Sequence, residues 1–286
     1  MSGPYWKQVH ARRLAVPSDR PLDELTAELT TMLGATDPEL RDGTAYPALA
    51  TWLSRGVYDD LLPGLGDGMA AGLQNGLGED GTDTIFRRSF SALLLGECIE
   101  RDNDNALVPA GKILEWGDRI ATWLLRERDL RGYVPGKGWA HAVAHGADAL
   151  AALAQSPHLG TPELTVVLDV VADRALLPTD RLLTAGEPDR LAHATMQVLR
   201  RGKVPLEVLE PWVARLSAGA RTRSRYDDRD PFLAGGNAEA LLRSLYLQLA
   251  LAPEPPPNRS DLLLVVVEAL RSTNPHHLRA RTPGRS

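Results

Sequence analysis

Apolar residues recur along this chain at spacings of three and four, the mark of helices that each bury one face. Over 21–33, Leu22, Leu25, Leu29 and Leu33 form such a stripe, with Ser18 or Asp19 placed to cap it. Asp37-Pro38 sets a capping residue before a proline suited to a first turn, which predicts a helix to Ser54 that stops short of Gly56. A glycine-rich stretch with Gly64, Gly66, Gly68, Gly76 and Gly78 follows and leaves room for a short helix near 68–75. From Asp83 or Thr84 the pattern returns through Phe86, Phe90, Leu93, Leu94 and Glu97 to residue 102. A helix over 109–128 lines up Ile113, Trp116, Ile120 and Trp123, and one over 138–155 follows the turn at 131–136. Further helices are expected over 161–176, 188–201, 206–218, 237–250 and 260–272.

No segment argues persuasively for a strand, because the valine runs at 166–167 and 265–267 lie inside longer helical patterns. Roughly ten helices joined by short turns predict an all-α fold. The favoured architecture is a helical-repeat (HEAT/armadillo-like) right-handed α-α superhelix, with a closed α/α toroid as the alternative. No strict internal repeat is visible. One helical domain is expected over 19–274, after a disordered or loosely attached stretch at 1–18 and before a disordered arginine-rich tail at 275–286. The proline run at 253–257 is a stiff break before the last helix.

Composition strengthens the helical reading: the hydrophobic 43% is dominated by Leu and Ala, with only three Phe and six Tyr. A chain of 286 residues can bury a core without disulfide or metal staples. The net charge of −5 argues against a dedicated nucleic-acid binder. The single cysteine, Cys98, sits in an apolar helical run and reads as an inert buried thiol. No apolar stretch opens the chain and no run reaches the roughly 18 apolar residues of a membrane span, so a cytoplasmic protein without membrane contact is expected.

Chemistry, where the sequence offers any, concentrates in 126–150. On a helix from Gly138, His141, His145 and Asp148 share one side, while Val143, Ala147, Leu150 and Ala154 take the other. Three readings fit that stripe: a packing face in which Asp148 bonds a histidine, a divalent metal site such as zinc, or a metal-free acid–base site. The metal reading lacks the zincin glutamate, since Ala142 follows the first histidine, and would borrow a third ligand such as His193 or Asp102. In the preceding turn, Gly132, Gly136 and Gly138 loosen the backbone among Arg131, Tyr133, Lys137 and Trp139. The turn either receives an anion at the helix N-terminus or is a tight connection with Tyr133 and Trp139 packed beneath it. Arg88 and Ser89 lie between Phe86 and Phe90, so Arg88 must approach the core and needs a carboxylate there, from Glu127, Asp129 or Asp148. Arg41-Asp42 reads as a helix-packing pair of the same sort, and Ser89 lacks a nucleophile elbow.

The stretches IFRRSFSALLL (85–95), ERDN (100–103) and RDLRGYVPGKGWAHAVAHGADAL (128–150) resemble a bacterial family known as domain of unknown function 2785. The likeness runs from about Leu22 to Ala250 and takes in PELRDGTAYPALATWL (38–53). Its most characteristic positions fall on Arg88, Ser89, Phe90, Gly138, Trp139, His141, His145, Gly146 and Asp148. The resemblance implies a helical fold and brings no reaction or cofactor with it. The expected function is a helical-repeat protein that binds a peptide, protein or small ligand at Arg88, Ser89, Lys137, Trp139, His141, His145 and Asp148. A hydrolase or cyclase-like enzyme using His141, His145 and Asp148 is the alternative. A nucleic-acid-binding repeat protein rests only on the tail and on Arg221, Arg223 and Arg225.

Overall fold

The computed structural model describes residues 3–222 and 230–278, so Arg223, Arg225 and the tail from 279 lie outside the described residues. The chain divides into two compact units, Met1–His158 and Leu159–Ser286. The first holds helices α1 (Gly3–Ala11), α2 (Leu22–Met32), α3 (Pro38–Leu40), α4 (Tyr46–Ser54), α5 (Leu62–Gly72), α6 (Thr84–Asn105), α7 (Ala110–Arg126) and α8 (Ala142–Gln155). The second holds α9 (Thr161–Leu176), α10 (Glu187–Arg200), α11 (Leu206–Ala220), α12 (Gly236–Leu251), α13 (Arg259–Thr273) and α14 (Pro275–Leu278). None of the helices among the described residues is long and apolar enough to cross a membrane.

Within the first unit α6 packs against α4 and α8, while α5 contacts both α6 and α7. In the second, α11 packs between α9 and α13, and α10 packs against α12. The valine runs sit inside α9 and α13, where burial of one face overrides their local strand preference.

Several local expectations give way to tertiary contacts. The N-terminal stretch is helical, not loose: Trp6 is buried, its indole N–H donates to Glu28 at 2.8 Å, and its ring lies 6.3 Å from that of Trp52. Pro21 takes the N-cap position of α2, and Asp19 instead accepts a bond from the Tyr5 hydroxyl. Asp37 does cap α3, accepting the Glu39 amide at 2.9 Å. Between α3 and α4 the helix widens into a π turn at Arg41–Ala45. Helix α5 begins at Leu62, ahead of the expected start; its Gly66 lies flat under the Trp116 ring, where a Cβ would come within 2.1 Å.

The largest departure is at α8. It is not an amphipathic rod: all its residues are buried except Asp148 and Gln155. Its alanines make it thin enough for α6 and α7 to close on it, with Gly96 set against Ala149, Gly117 against Leu153, and Gly146 against Trp123 and Leu124. It also starts late, at Ala142. The preceding residues form a small antiparallel hairpin, β1 (Tyr133–Val134) with β2 (Gly138–Trp139), the sole sheet among the described residues.

Candidate functional site

The hairpin and the start of α8 are held by a buried polar network, which is where most of the sequence candidates lie. Arg88, on α6, is fully buried and grips Glu127 through two bonds, Nε to Oε2 at 2.6 Å and Nη2 to Oε1 at 3.0 Å. Its remaining nitrogen donates to the carbonyls of Asn75 and Gly76 and to the Thr84 hydroxyl. Glu127 accepts in addition from the Trp123 indole and from the amides of Arg128 and Asp129. Of the three carboxylates offered by the sequence, then, Glu127 is the partner. A charge pair this dry is stable only when nearly every lone pair and proton is matched, as here.

Asp129, equally buried, accepts from Arg131 through Nε and Nη2 and from the Gly81 amide at 3.0 Å. Arg131 also reaches the Thr82 carbonyl, and its guanidinium is held above the usual arginine range chiefly by the bond to Asp129. Lys137 meets both oxygens of Asp83, at 2.6 and 2.8 Å. The two basic residues of the turn are therefore engaged by carboxylates of this chain, and the anion-receiving reading of the turn is not supported.

Arg41 supplies the support that was least legible. Fully buried in the π turn, it donates to the carbonyls of Ala35 and Lys137 and to Asp42, and its guanidinium lies 4.2 Å from the Phe86 ring centre and 5.0 Å from that of Phe90. Burial lowers the Arg41 pKa, against the pull of Asp42. Gly138 lies directly over it at φ +79°, and a Cβ there would come 3.0 Å from Arg41 Nη2 and 3.0 Å from Pro38. The sequence offered Arg41 only as one half of a pair with Asp42, and local spacing carries no signal for its contact with Lys137.

Ser89 is fully buried and bonds both the Ala140 carbonyl and His145 Nδ1, the latter at 2.8 Å. A hydroxyl has one proton, and a carbonyl can only accept, so Ser89 donates to Ala140 and accepts from His145, which carries its proton on Nδ1. That polarity is the reverse of a serine activated by a histidine base. Ser89 positions the hairpin end and the imidazole.

His141 is the N-cap of α8, in left-handed backbone at φ +51°, and not a member of the helix. The one-face geometry expected of His141 and His145 on a single helix therefore does not hold. Their rings nonetheless approach, with centres 5.9 Å apart, because the backbone turn brings His141 over the first turn. Among the described residues no group of three His, Cys, Asp or Glu side chains could hold a metal ion, so His141, His145 and Asp148 do not form the proposed metal set. Of the suggested third ligands, Asp102 is buried on α6 and accepts the Val108 amide, and His193 belongs to α10.

The structure brings out a row of rings instead. Tyr133 and Trp139 pack edge to face at 5.2 Å on the hairpin, and Trp139 meets His141 at 4.2 Å. His145 follows, then Phe90 at 5.0 Å, then Tyr46 at 6.3 Å. The outer pair is not packed beneath the turn: Tyr133 is 59% and Trp139 43% exposed. At the inner end, the Tyr46 hydroxyl donates to Glu97 at 2.6 Å. Burial and then that bond raise the Tyr46 pKa, and the charges of Asp148 and Glu100 add to the effect. Glu100 is itself held above the usual carboxylate range, by desolvation and by Glu97, Asp148 and Asp104. Cys98, nearby in sequence, is fully buried, and desolvation pushes its thiol up and out of reactivity.

A family model described as "Protein of unknown function (DUF2785)" matches residues 73–247, a span that includes Arg88, Glu127, the hairpin and α8 but not Arg41. No curated protein and no solved structure matches the chain.

Proposed function

The chain belongs to the DUF2785 family, and we propose that it is a recognition protein, a helical-repeat frame of the HEAT/armadillo kind that binds a peptide, protein or small ligand on the face running from the hairpin to α8. The repeat reading is supported by the packing of alternate helices, α4 with α6 with α8 in one unit and α9 with α11 with α13 in the other. The recognition reading is carried by one observation: the buried Arg41 donates to the Lys137 carbonyl beneath a four-residue ladder that presents two exposed aromatic rings, Tyr133 and Trp139. Exposed aromatic residues on rigid backbone are what interfaces use as anchors, since little side-chain freedom is lost on binding.

The polar residues Arg88, Ser89 and Lys137 contribute by positioning, and Tyr133 and Trp139, with His141 against the Trp139 ring, form the face itself. The direction of the Ser89–His145 hydrogen bond disfavours Ser89 as a nucleophile and does not bear on the alternative of a hydrolase or cyclase-like enzyme using His141, His145 and Asp148. The test is capture on an immobilised peptide array of varied charge. The wild-type chain is expected to bind a subset of spots, and the double substitution Tyr133→Ala with Trp139→Ala to abolish that binding while the melting temperature without ligand changes little. Binding that survives the double substitution would transfer recognition to another surface.

A further inference from the structure

The second unit carries a groove that the hairpin reading does not use. It runs between α11 and α13 and encloses about 560 Å³, with the buried Val213 and Ala269 as its floor and Ala214 and Val265 along its edge. We propose that this groove is a second binding site, which takes the end of a peptide chain. A free C-terminal carboxylate meets Arg221, an apolar last residue lies on the floor, and a lysine or arginine a few positions earlier reaches Glu268 and Glu210.

The two helices present matching stripes. On α11, Glu210, Val213, Ala214, Ser217 and Arg221 recur at intervals of three and four, and on α13 so do Val265, Glu268, Ala269 and Ser272. Both stripes line the one groove. The Ser217 and Ser272 hydroxyls bond each other at 2.9 Å, and Arg221 donates to the Ser272 hydroxyl at 3.3 Å. Glu210 and Val265, each seven residues ahead of its serine, line the same groove, so the helices run in the same direction.

That direction polarises the groove. Glu210 precedes Arg221 by about 16 Å of helix, and Glu268 precedes Ser272 by one turn. Carboxylates therefore mark one end, and a guanidinium with two hydroxyls marks the other. None of these three charges is paired among the described residues: the Arg221 guanidinium meets the Ser272 hydroxyl, and Glu210 and Glu268 meet no basic group. Arg215 of the same helix, by contrast, is matched by Asp169 and Asp173 on α9.

A ligand of one sign of charge gains at one end of such a groove and loses at the other. A peptide end with a basic side chain satisfies both. Extended chain spans the distance in about four or five residues, fewer once the reach of a lysine is counted. Arginine suits a carboxylate, and the two hydroxyls can rotate to donate beside it. An apolar wall with a few polar groups, in a volume of this order, is the usual make-up of a small-ligand site.

Fluorescence anisotropy on the full chain tests the proposal with a labelled peptide that ends lysine–alanine–valine in a free carboxylate. Its C-terminal amide and a glutamate-for-lysine version serve as comparisons. The first is expected to bind, and each comparison to bind roughly two- to fivefold more weakly, since the charges are exposed. Arg221→Gln should lower the acid form to the affinity of the amide and leave the amide unchanged, which a general loss of fold would not do. Glu210→Gln with Glu268→Gln should likewise remove the preference for lysine over glutamate. Ala214→Trp, at an exposed position, should abolish all binding while urea unfolding shows the fold retained. Tyr133→Ala with Trp139→Ala should change nothing, because the hairpin belongs to the other unit.

No binding of the free-carboxylate peptide, or binding that Ala214→Trp leaves intact, would overturn the proposal. Binding lost only in the hairpin variant would overturn it and credit the peptide to the hairpin. A labelled fatty acid that displaces the peptide and ignores the glutamate substitutions would assign the groove to a lipid instead. Self-association of the chain abolished by Ala214→Trp would assign it to a second copy, again against the proposal.

Discussion

Arg88 shows how one side chain in this protein can be read from sequence and how far the reading goes. Its place between Phe86 and Phe90 required a buried partner, and the structure supplies Glu127 in a two-bond pair that is wholly dry. Removing one partner leaves an uncompensated charge, so Glu127→Leu or Arg88→Met should each cost about 3–5 kcal/mol in urea unfolding. The double variant should recover part of that loss; additive losses would show that the two side chains do not act as a pair. Ser89→Ala removes the buried bonds to the Ala140 carbonyl and to His145 Nδ1, with an expected cost of about 1–3 kcal/mol in the same assay. The sequence marked Ser89 as a binding candidate without a nucleophile elbow, which says nothing of the contact it makes. Its role depends on Ala140, fifty-one positions away, and no periodicity encodes that contact.

At the scale of elements, helices whose burial follows their own pattern were legible, and α9 matches its expected limits at both ends. Helix α8 was not, because alanine is compatible with either a surface or a fully enclosed site, and only α6 and α7 closing on it decide which. The hairpin was missed for a related reason: its two-residue strands are too short to carry an alternating pattern, and a support from below holds them. Two glycine substitutions separate backbone strain from that support. Gly136→Ala meets no atom within 4 Å but must adopt φ +76°, at about 1–2 kcal/mol. Gly138→Ala adds collisions with Arg41 and Pro38 to the same strain and should lower the urea midpoint further. Equal effects would mean that Arg41 does not carry the hairpin. At the other end of the unit, α1 docks on α2 through Trp6 and Glu28. Burial pushes the Glu28 carboxyl up, but bonds from Trp6 and Arg20 outweigh it and leave the folded pKa below the usual value. Stability from Glu28 is therefore present above the unfolded carboxylate pKa and is lost as pH falls through the folded one. The stability difference between wild type and Glu28→Gln should shrink over that window; a constant difference would contradict the linkage.

For the whole molecule, the division into Met1–His158 and Leu159–Ser286 has a thermodynamic consequence. Each unit has its own core, the first around Trp52, Trp116 and Trp123 and the second around Leu168, Leu216 and Leu245. Calorimetry should then resolve two transitions, with Arg88→Met lowering one and Leu245→Ala, at about 2–5 kcal/mol, lowering the other. A single transition shifted by both substitutions would show that the chain unfolds as one cooperative body.

Helix content, most helix limits, the inert thiol and the need of Arg88 for a carboxylate were determined by sequence alone, because each follows from spacing or from the cost of burying a group. The division into units, the late start of α8, the left-handed turn at His141 and the exposure of Tyr133 and Trp139 were decided by tertiary structure. Each of these depends on atoms brought together from distant positions, Arg41 with Lys137, Ser89 with Ala140, Gly96 with Ala149. Periodicity reports what one segment prefers by itself, whereas the neighbours that enclose or expose it are set by packing.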